Sequence, residues 1–297
     1  MMDGLMLGAM WELLFTPFTE FGFMRRALLG CIAVSIGATP LGVFLMLRRM
    51  SLTGDAMAHA ILPGAAVGYL VAGLSLGAMT IGGLVAGMTV AVLSGYVTRV
   101  TKLREDASLA SFYLISLAVG VLIISTRGSN VDLMHVLFGS VLALDNAALT
   151  LLCTITTVSL ALLALFFRPL VLECADPQFL RSVSQLSAVT HFIFLMLVVM
   201  NLVGGFHALG TLMAVGIMIL PAAAARFWAV TISGLIVLAA GIALFSSYCG
   251  LLLSYYYSLP SGPAIILVTG SIYFVSVVFG LQGGILQQTR SVRAIEI

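Results

Sequence analysis

Charge is scarce in this sequence. Lysine occurs once, at Lys102, and charged residues of all kinds make up 8% of the 297 residues. A water-soluble domain carries roughly 25%, so this chain has too little polar surface to face water. The shortage also removes chemistry. The single lysine does not follow a glycine, which excludes a GxxxxGK[ST] phosphate loop, so any ATP that drives this protein is bound by another subunit. There is no HExxH pair, and an intramembrane zinc protease would have no residues to rest on. Only four cysteines occur, Cys31, Cys153, Cys174 and Cys249. None has CxxC spacing and most lie in apolar runs, so free thiols are expected, neither disulfides nor zinc ligands. The start of the chain, with Asp3 and no positive charge before Arg25, is unlike the basic start of a signal peptide.

What is abundant is apolar sequence. Hydrophobic residues make up 61% of the chain and the mean hydropathy is +1.19. Runs of about 20 apolar residues between short polar breaks specify transmembrane helices, whereas a barrel would show alternating segments of about 10. The expectation is an all-α polytopic bundle of about nine spans. They fall near 27–47, 57–74, 79–97, 107–125, 146–167, 188–205, 208–225, 228–252 and 262–281. Eight is the alternative. The span at 57–74 is short and carries Pro63-Gly64, and 188–225 holds two spans joined by almost nothing between Val203 and Ala208. Pro221 marks another such break, and broken helices suit a water-filled path.

Residues 1–24 mix Trp11, Phe15, Phe18 and Phe21 with Asp3, Glu12 and Glu20, a pattern for a helix lying in the interface. Residues 25–297 form a single transmembrane domain. Nine spans put the termini on opposite sides. With the C-terminus in the cytoplasm, ten of the thirteen Lys and Arg residues fall inside, and only Arg25, Arg26 and Arg127 fall outside, as the positive-inside rule requires. Tyr248, Tyr255, Tyr256 and Tyr257 then form an outer aromatic belt. The longest inner interruption is 168–187, where Asp176-Pro177 reads as the start of a short surface helix.

Within this frame Asp55 and His59 stand out. Four residues apart, they share one face of a helix that enters apolar sequence, so one ion could touch both. Ionisable residues within a span are candidates for an ion path. Carboxylate and imidazole suit first-row divalent metals, and no thiolate accompanies them to hold the metal permanently. The alternative is a packing pair, with Asp55 capping the helix and His59 bonded to a carbonyl. His207, at the outer turn, is a candidate relay or a solvated histidine. Asp132 and His135, in the outer loop, are candidates for first contact with metal, or simply a polar loop. His191 opens an inner span without an assigned role.

Three stretches together resemble a known family: the membrane permeases of ATP-binding-cassette importers for zinc, manganese and related divalent metals. They are GVFLMLRRMSLTGDAMAHAILPGAAVGYL, ECADPQFLRSV and HALGTLMAVGIMILPAAAARFW, and the likeness extends from about Met24 to Gly280. The resemblance implies a multi-pass permease of the bacterial plasma (inner) membrane, not itself an enzyme, working as a homodimer in the lipid bilayer. It implies two copies of a separate ATPase subunit that bind and hydrolyse ATP, and an extracytoplasmic metal-binding protein. No permanently bound cofactor and no nucleic-acid partner are expected; Zn2+ or Mn2+ is cargo. Carried over by position, Asp55 and His59 fall on the family's metal path. Asp176, Pro177, Gln178, Phe179, Leu180 and Arg181 fall on its ATPase-coupling segment. The chain departs from the pattern at His207, where glutamine or another polar residue is expected, and at Val183-Ser184-Gln185, which replace a glycine.

Other functions stay open at this level. A secondary metal transporter would want more buried acidic residues in its spans. An intramembrane enzyme would need a nucleophile or further ligands converging on Asp55 and His59. A permease for an iron chelate or a vitamin would want a wide cavity, where a bare ion needs only a few ligands.

Overall fold

The computed structural model describes residues 14–73, 75–101, 103–126, 141–176 and 186–287. Among these, regular structure is helical throughout, with no strand. After a helical stretch over 14–20 come α1 (Gly22–Leu47), α2 (Ser51–Ala72), α3 (Leu76–Val100) and α4 (Glu105–Thr126). A single 3-10 turn, Val141–Ala143, precedes α5 (Asn146–Leu165). Then follow α6 (Phe167–Ala175), α7 (Leu186–Leu209), α8 (Thr211–Ala225), α9 (Ile232–Tyr257) and α10 (Ser261–Phe279). In a bilayer no water is available to bond exposed backbone groups, so long apolar stretches close their hydrogen bonds within themselves as helices.

Eight of these helices are long and apolar enough to cross a membrane. The ninth expected span, α8, has only 15 residues. At 1.5 Å per residue it reaches about 22 Å, against about 30 Å of hydrocarbon. The turn before it lies later than expected. A single glycine, Gly210 (φ 85°), joins α7 to α8, and its left-handed backbone suits glycine. The prolines do not break their helices. α2 continues through Pro63 and α8 through Pro221, so α2 is a full span rather than a half helix.

The core is built around α1, the most buried span, which packs against α5, α7, α8 and α9. To one side α2, α3 and α4 pack together, and α4 is the least buried span. Small residues let α2 and α3 touch backbone to backbone. A Cβ at Gly64 would land on the Gly82 carbonyl, and one at Gly82 on the Gly64 carbonyl.

The first and last described residues lie at opposite ends of the bundle. Leu14 accepts a hydrogen bond from the Tyr248 hydroxyl (2.8 Å), and Phe18 stacks on Tyr248 and Phe21 packs beside Tyr255, near the end of α9. At the other end, the Gln282 amide donates to Phe227, in the turn between α8 and α9. All four cysteines are free thiols.

α1 closes in a Schellman motif. The Arg49 amide donates to Met46 (3.1 Å) and the Met50 amide to Leu45 (2.8 Å), with Arg49 left-handed at φ 59°. An arginine at a position that favours glycine costs about 1–2 kcal/mol. The turn reverses the chain within three residues and sends α2 into the bundle.

Candidate metal-path site

Asp55 and His59 lie in the first three turns of α2. The N-cap is Met50 and no side chain bonds the helix start, so Asp55, a full turn further in, is not a cap. His59 shows no bond to a carbonyl either: its Nδ1 is buried with no hydrogen-bond partner among the described residues. The packing-pair alternative therefore loses both of its bonds.

His59 Nε2 stands 3.7 Å from Asp55 Oδ1. That is too long for a hydrogen bond. It is the separation of two donors on one ion, since ligands each about 2.1 Å from a metal lie about 3–4 Å apart. The His59 side chain is 31% exposed and that of Asp55 is 61% exposed. Tyr113 of α4 stacks on the His59 ring, centroids 6.2 Å apart, and fixes one side of the imidazole.

Beside the pair is a cavity of about 150 Å³ between the first turns of α2 and α4. Its polar lining includes Thr53, Asp55, Asp106 and Tyr113. Asp106 also pairs with Arg104 at 3.7 Å. The positive ends of both helix dipoles face this corner and favour carboxylates there. Pro63, four residues after His59, has no N–H to offer the His59 carbonyl, which releases one backbone oxygen from the helix ladder. Among the described residues, no three His, Cys, Asp or Glu side chains gather to enclose a metal. One chain thus offers a two-donor, open arrangement suited to passing an ion on.

The other expected residues are dispersed. His207 lies in the last turn of α7. Asp132 and His135 lie outside the described residues. So do Pro177, Gln178, Phe179, Leu180 and Arg181. Asp176 is described, and it ends α6 as its exposed C-cap, its amide bonded to Leu172. Asp145 caps α5, accepting the Ala148 amide at 2.7 Å. Gly73, Ser75 and Gly77 have GxSxG spacing, but they join two helices, and a nucleophile elbow joins a strand to a helix.

Only weak signs of a second charged cluster are visible in the sequence. α6 falls within the inner interruption 168–187, yet it carries Glu173 into the interior, with a side chain only 3% exposed. Arg48, at the C-cap of α1, is 11% exposed and reaches Glu173 Oε1 at 3.4 Å. The same Arg48 Nη2 is 2.7 Å from His191 Nδ1 at the start of α7, and the guanidinium lies 5.1 Å from the Phe194 ring centre. Arginine can only donate, so His191 Nδ1 accepts and the ring proton sits on Nε2. Next to it, burial pushes the Cys174 thiol up to about 11, against the pull of Arg48 and with a further push from Glu173. The thiol stays protonated and does not compete for the guanidinium. A lone glutamate in LVLECA and a histidine opening a span were the only signals available.

The profile described as the ABC 3 transport family matches residues 20–280. The manganese transport system membrane protein MntC of Listeria monocytogenes is 31% identical over 267 residues, covering 90% of this chain and 94% of that protein. The manganese import system permease protein ScaB of Streptococcus parasanguinis is 30% identical over 257 residues, covering 86% of this chain and 90% of that protein. Among solved structures, PsaBC from Streptococcus pneumoniae in complex with Fab matches with a TM-score of 0.81 and 28% identity. That match covers 93% of this chain and 98% of the other.

Proposed function

The chain belongs to the ABC 3 transport family, and from that premise we propose that it is the membrane subunit of a manganese importer, working as a homodimer in the bacterial plasma membrane. It is a permease of the divalent-metal class and not itself an enzyme. A separate ATPase supplies the energy, and an extracytoplasmic binding protein delivers the ion.

One observation carries this reading: the half-open Asp55–His59 pair on α2, 3.7 Å apart and enclosed by no third ligand among the described residues. A site that must release its cargo is served by few donors, mixed in kind. The carboxylate and imidazole fit manganese and zinc alike. The manganese transport names of the relatives favour manganese. The cavity of about 150 Å³ beside the pair also favours a bare ion, being smaller than the roughly 300 Å³ that a drug-sized ligand fills.

Asp55 is exposed on the surface of a single chain, which supports a second copy completing the coordination across a two-fold axis. In the alternating-access cycle, ATP binding opens the dimer outward and the binding protein releases its ion. Asp55 and His59 then ligate it in passing. ATP hydrolysis opens the inner side, and the segment from Asp176 to Arg181 carries the ATPase movement.

The test is total metal content, by mass spectrometry, of bacterial cells that lack their own manganese and zinc importers and express this chain with its ATPase and binding protein. Manganese accumulation that is lost in His59→Ala at equal expression is the expected result. Unchanged metal in every strain, with the complex assembled, would move the cargo to a chelate or another solute.

A further inference from the structure

The largely enclosed cluster of Arg48, Glu173 and His191 has no part in the metal path described above. It joins three elements: the α1–α2 turn, the end of α6 and the start of α7. Glu173 is three residues from Asp176, where the coupling segment begins, and Arg48 is seven residues from Asp55. Between Arg48 and α2 the chain has little freedom, because the Schellman bonds of Arg49 and Met50 lock the turn. A movement of α6 is therefore passed to the first turns of α2 through one guanidinium.

Stability alone is a poor reason for such a cluster. A buried ion pair is often replaced by packed apolar side chains at no loss, because desolvation offsets the attraction. The geometry here is also unequal. Arg48 Nη2 serves both acceptors, tightly at His191 (2.7 Å) and loosely at Glu173 (3.4 Å). A shift of α6 by about half an ångström would bring the carboxylate to ordinary charge-assisted bonding distance, about 2.8 Å. Nη2 carries two hydrogens, so Arg48 can hold both acceptors at once, and the guanidinium bridges two helices.

We infer that Arg48, Glu173 and His191 are positioning residues that couple the ATPase-facing end of α6 to the Asp55–His59 pair, with the Arg48–Glu173 contact tightening as α6 moves during the transport cycle. This rests on the permease reading above. None of the three touches the metal; they act through the α1–α2 turn.

The experiment uses the assembled complex of this chain with its ATPase and binding protein, in lipid vesicles. The variants are Arg48→Met combined with Glu173→Met, which replaces the pair by apolar side chains of similar length, and Glu173→Gln, which keeps the shape and removes the charge. Manganese(II) moved per ATP hydrolysed is the first readout. A fall of about tenfold is expected, within the range of ordinary coupling between sites, while ATP hydrolysis and assembly are retained in both variants and the melting temperature in the double variant. The second readout is independent of cargo: the nucleotide-dependent change in hydrogen exchange of residues 51–60, present in the wild type and lost in the variants. If either assembled variant kept the wild-type ratio and the wild-type exchange response, the coupling role would be overturned. If the wild type moved no manganese but its exchange response was lost in the variants, the cargo assignment would fail and the coupling role would stand.

Discussion

Two clusters of ionisable side chains sit on either side of the α1–α2 turn, and their environments are opposite. Asp55 and His59 belong to one helix, are 61% and 31% exposed, and stand apart at 3.7 Å. Arg48, Glu173 and His191 come from three elements, the first two are almost fully enclosed, and Arg48 bonds His191 at 2.7 Å. Among the described residues nothing encloses the open pair, as uptake of a cation would require. In the closed cluster the protein supplies its own cation, the guanidinium, so that cluster can hold elements together but cannot carry cargo. On the reading proposed above, the open pair meets the substrate and the closed cluster transmits force.

The sharpest way to break this contrast is to unbalance the closed cluster. Glu173→Leu alone leaves Arg48 buried without its carboxylate and should destabilise the protein by about 3–5 kcal/mol. Arg48→Met with Glu173→Leu should recover most of that loss. Melting of the purified protein in detergent checks both, and two equal losses would show that the pair is not coupled.

Next in size is the open pair. Asp55→Ala and His59→Ala should each lower manganese uptake by about 10–100-fold, the scale of disturbing a metal's ligands or their support. Since Asp55 lies largely at the surface, its melting temperature should move by no more than about 1–2 °C. Loss of folding in Asp55→Ala would erase the distinction between the two clusters.

The smallest effect concerns the turn between them. Arg49→Gly relieves the left-handed strain and should stabilise the protein by about 1 kcal/mol, with uptake unchanged. A large loss of uptake would instead give the Arg49 side chain a function of its own.

The sequence makes the open pair and the helices visible for the same reason: both are local. Asp55 and His59 declare themselves by a spacing of four, and each span by a run of apolar residues. Gly210 fixes the α7–α8 turn, and the neighbouring glycines at Gly204 and Gly205 drew the expected break too early. Pro63 and Pro221 read as breaks in the sequence because in water a proline ends a helix. In a bilayer the rest of the backbone has no other partner, and the helix persists.

α6 stayed hidden because Arg168 and Glu173 give it the polarity of a loop, although Glu173 faces inward to an arginine 125 residues away. His191 shows in the sequence only as a histidine opening a span, since its partner Arg48 is 143 residues distant. Long-range pairing of this kind becomes visible only once the chain is folded.

The most direct test of the central claim is the initial rate of radioactive manganese uptake by vesicles holding the wild-type complex, compared with His59→Ala and Asp55→Ala complexes matched for ATPase content. The account predicts ATP-dependent uptake in the wild type and near-background rates in both variants, with assembly intact. Uptake at the wild-type rate in either variant would contradict it.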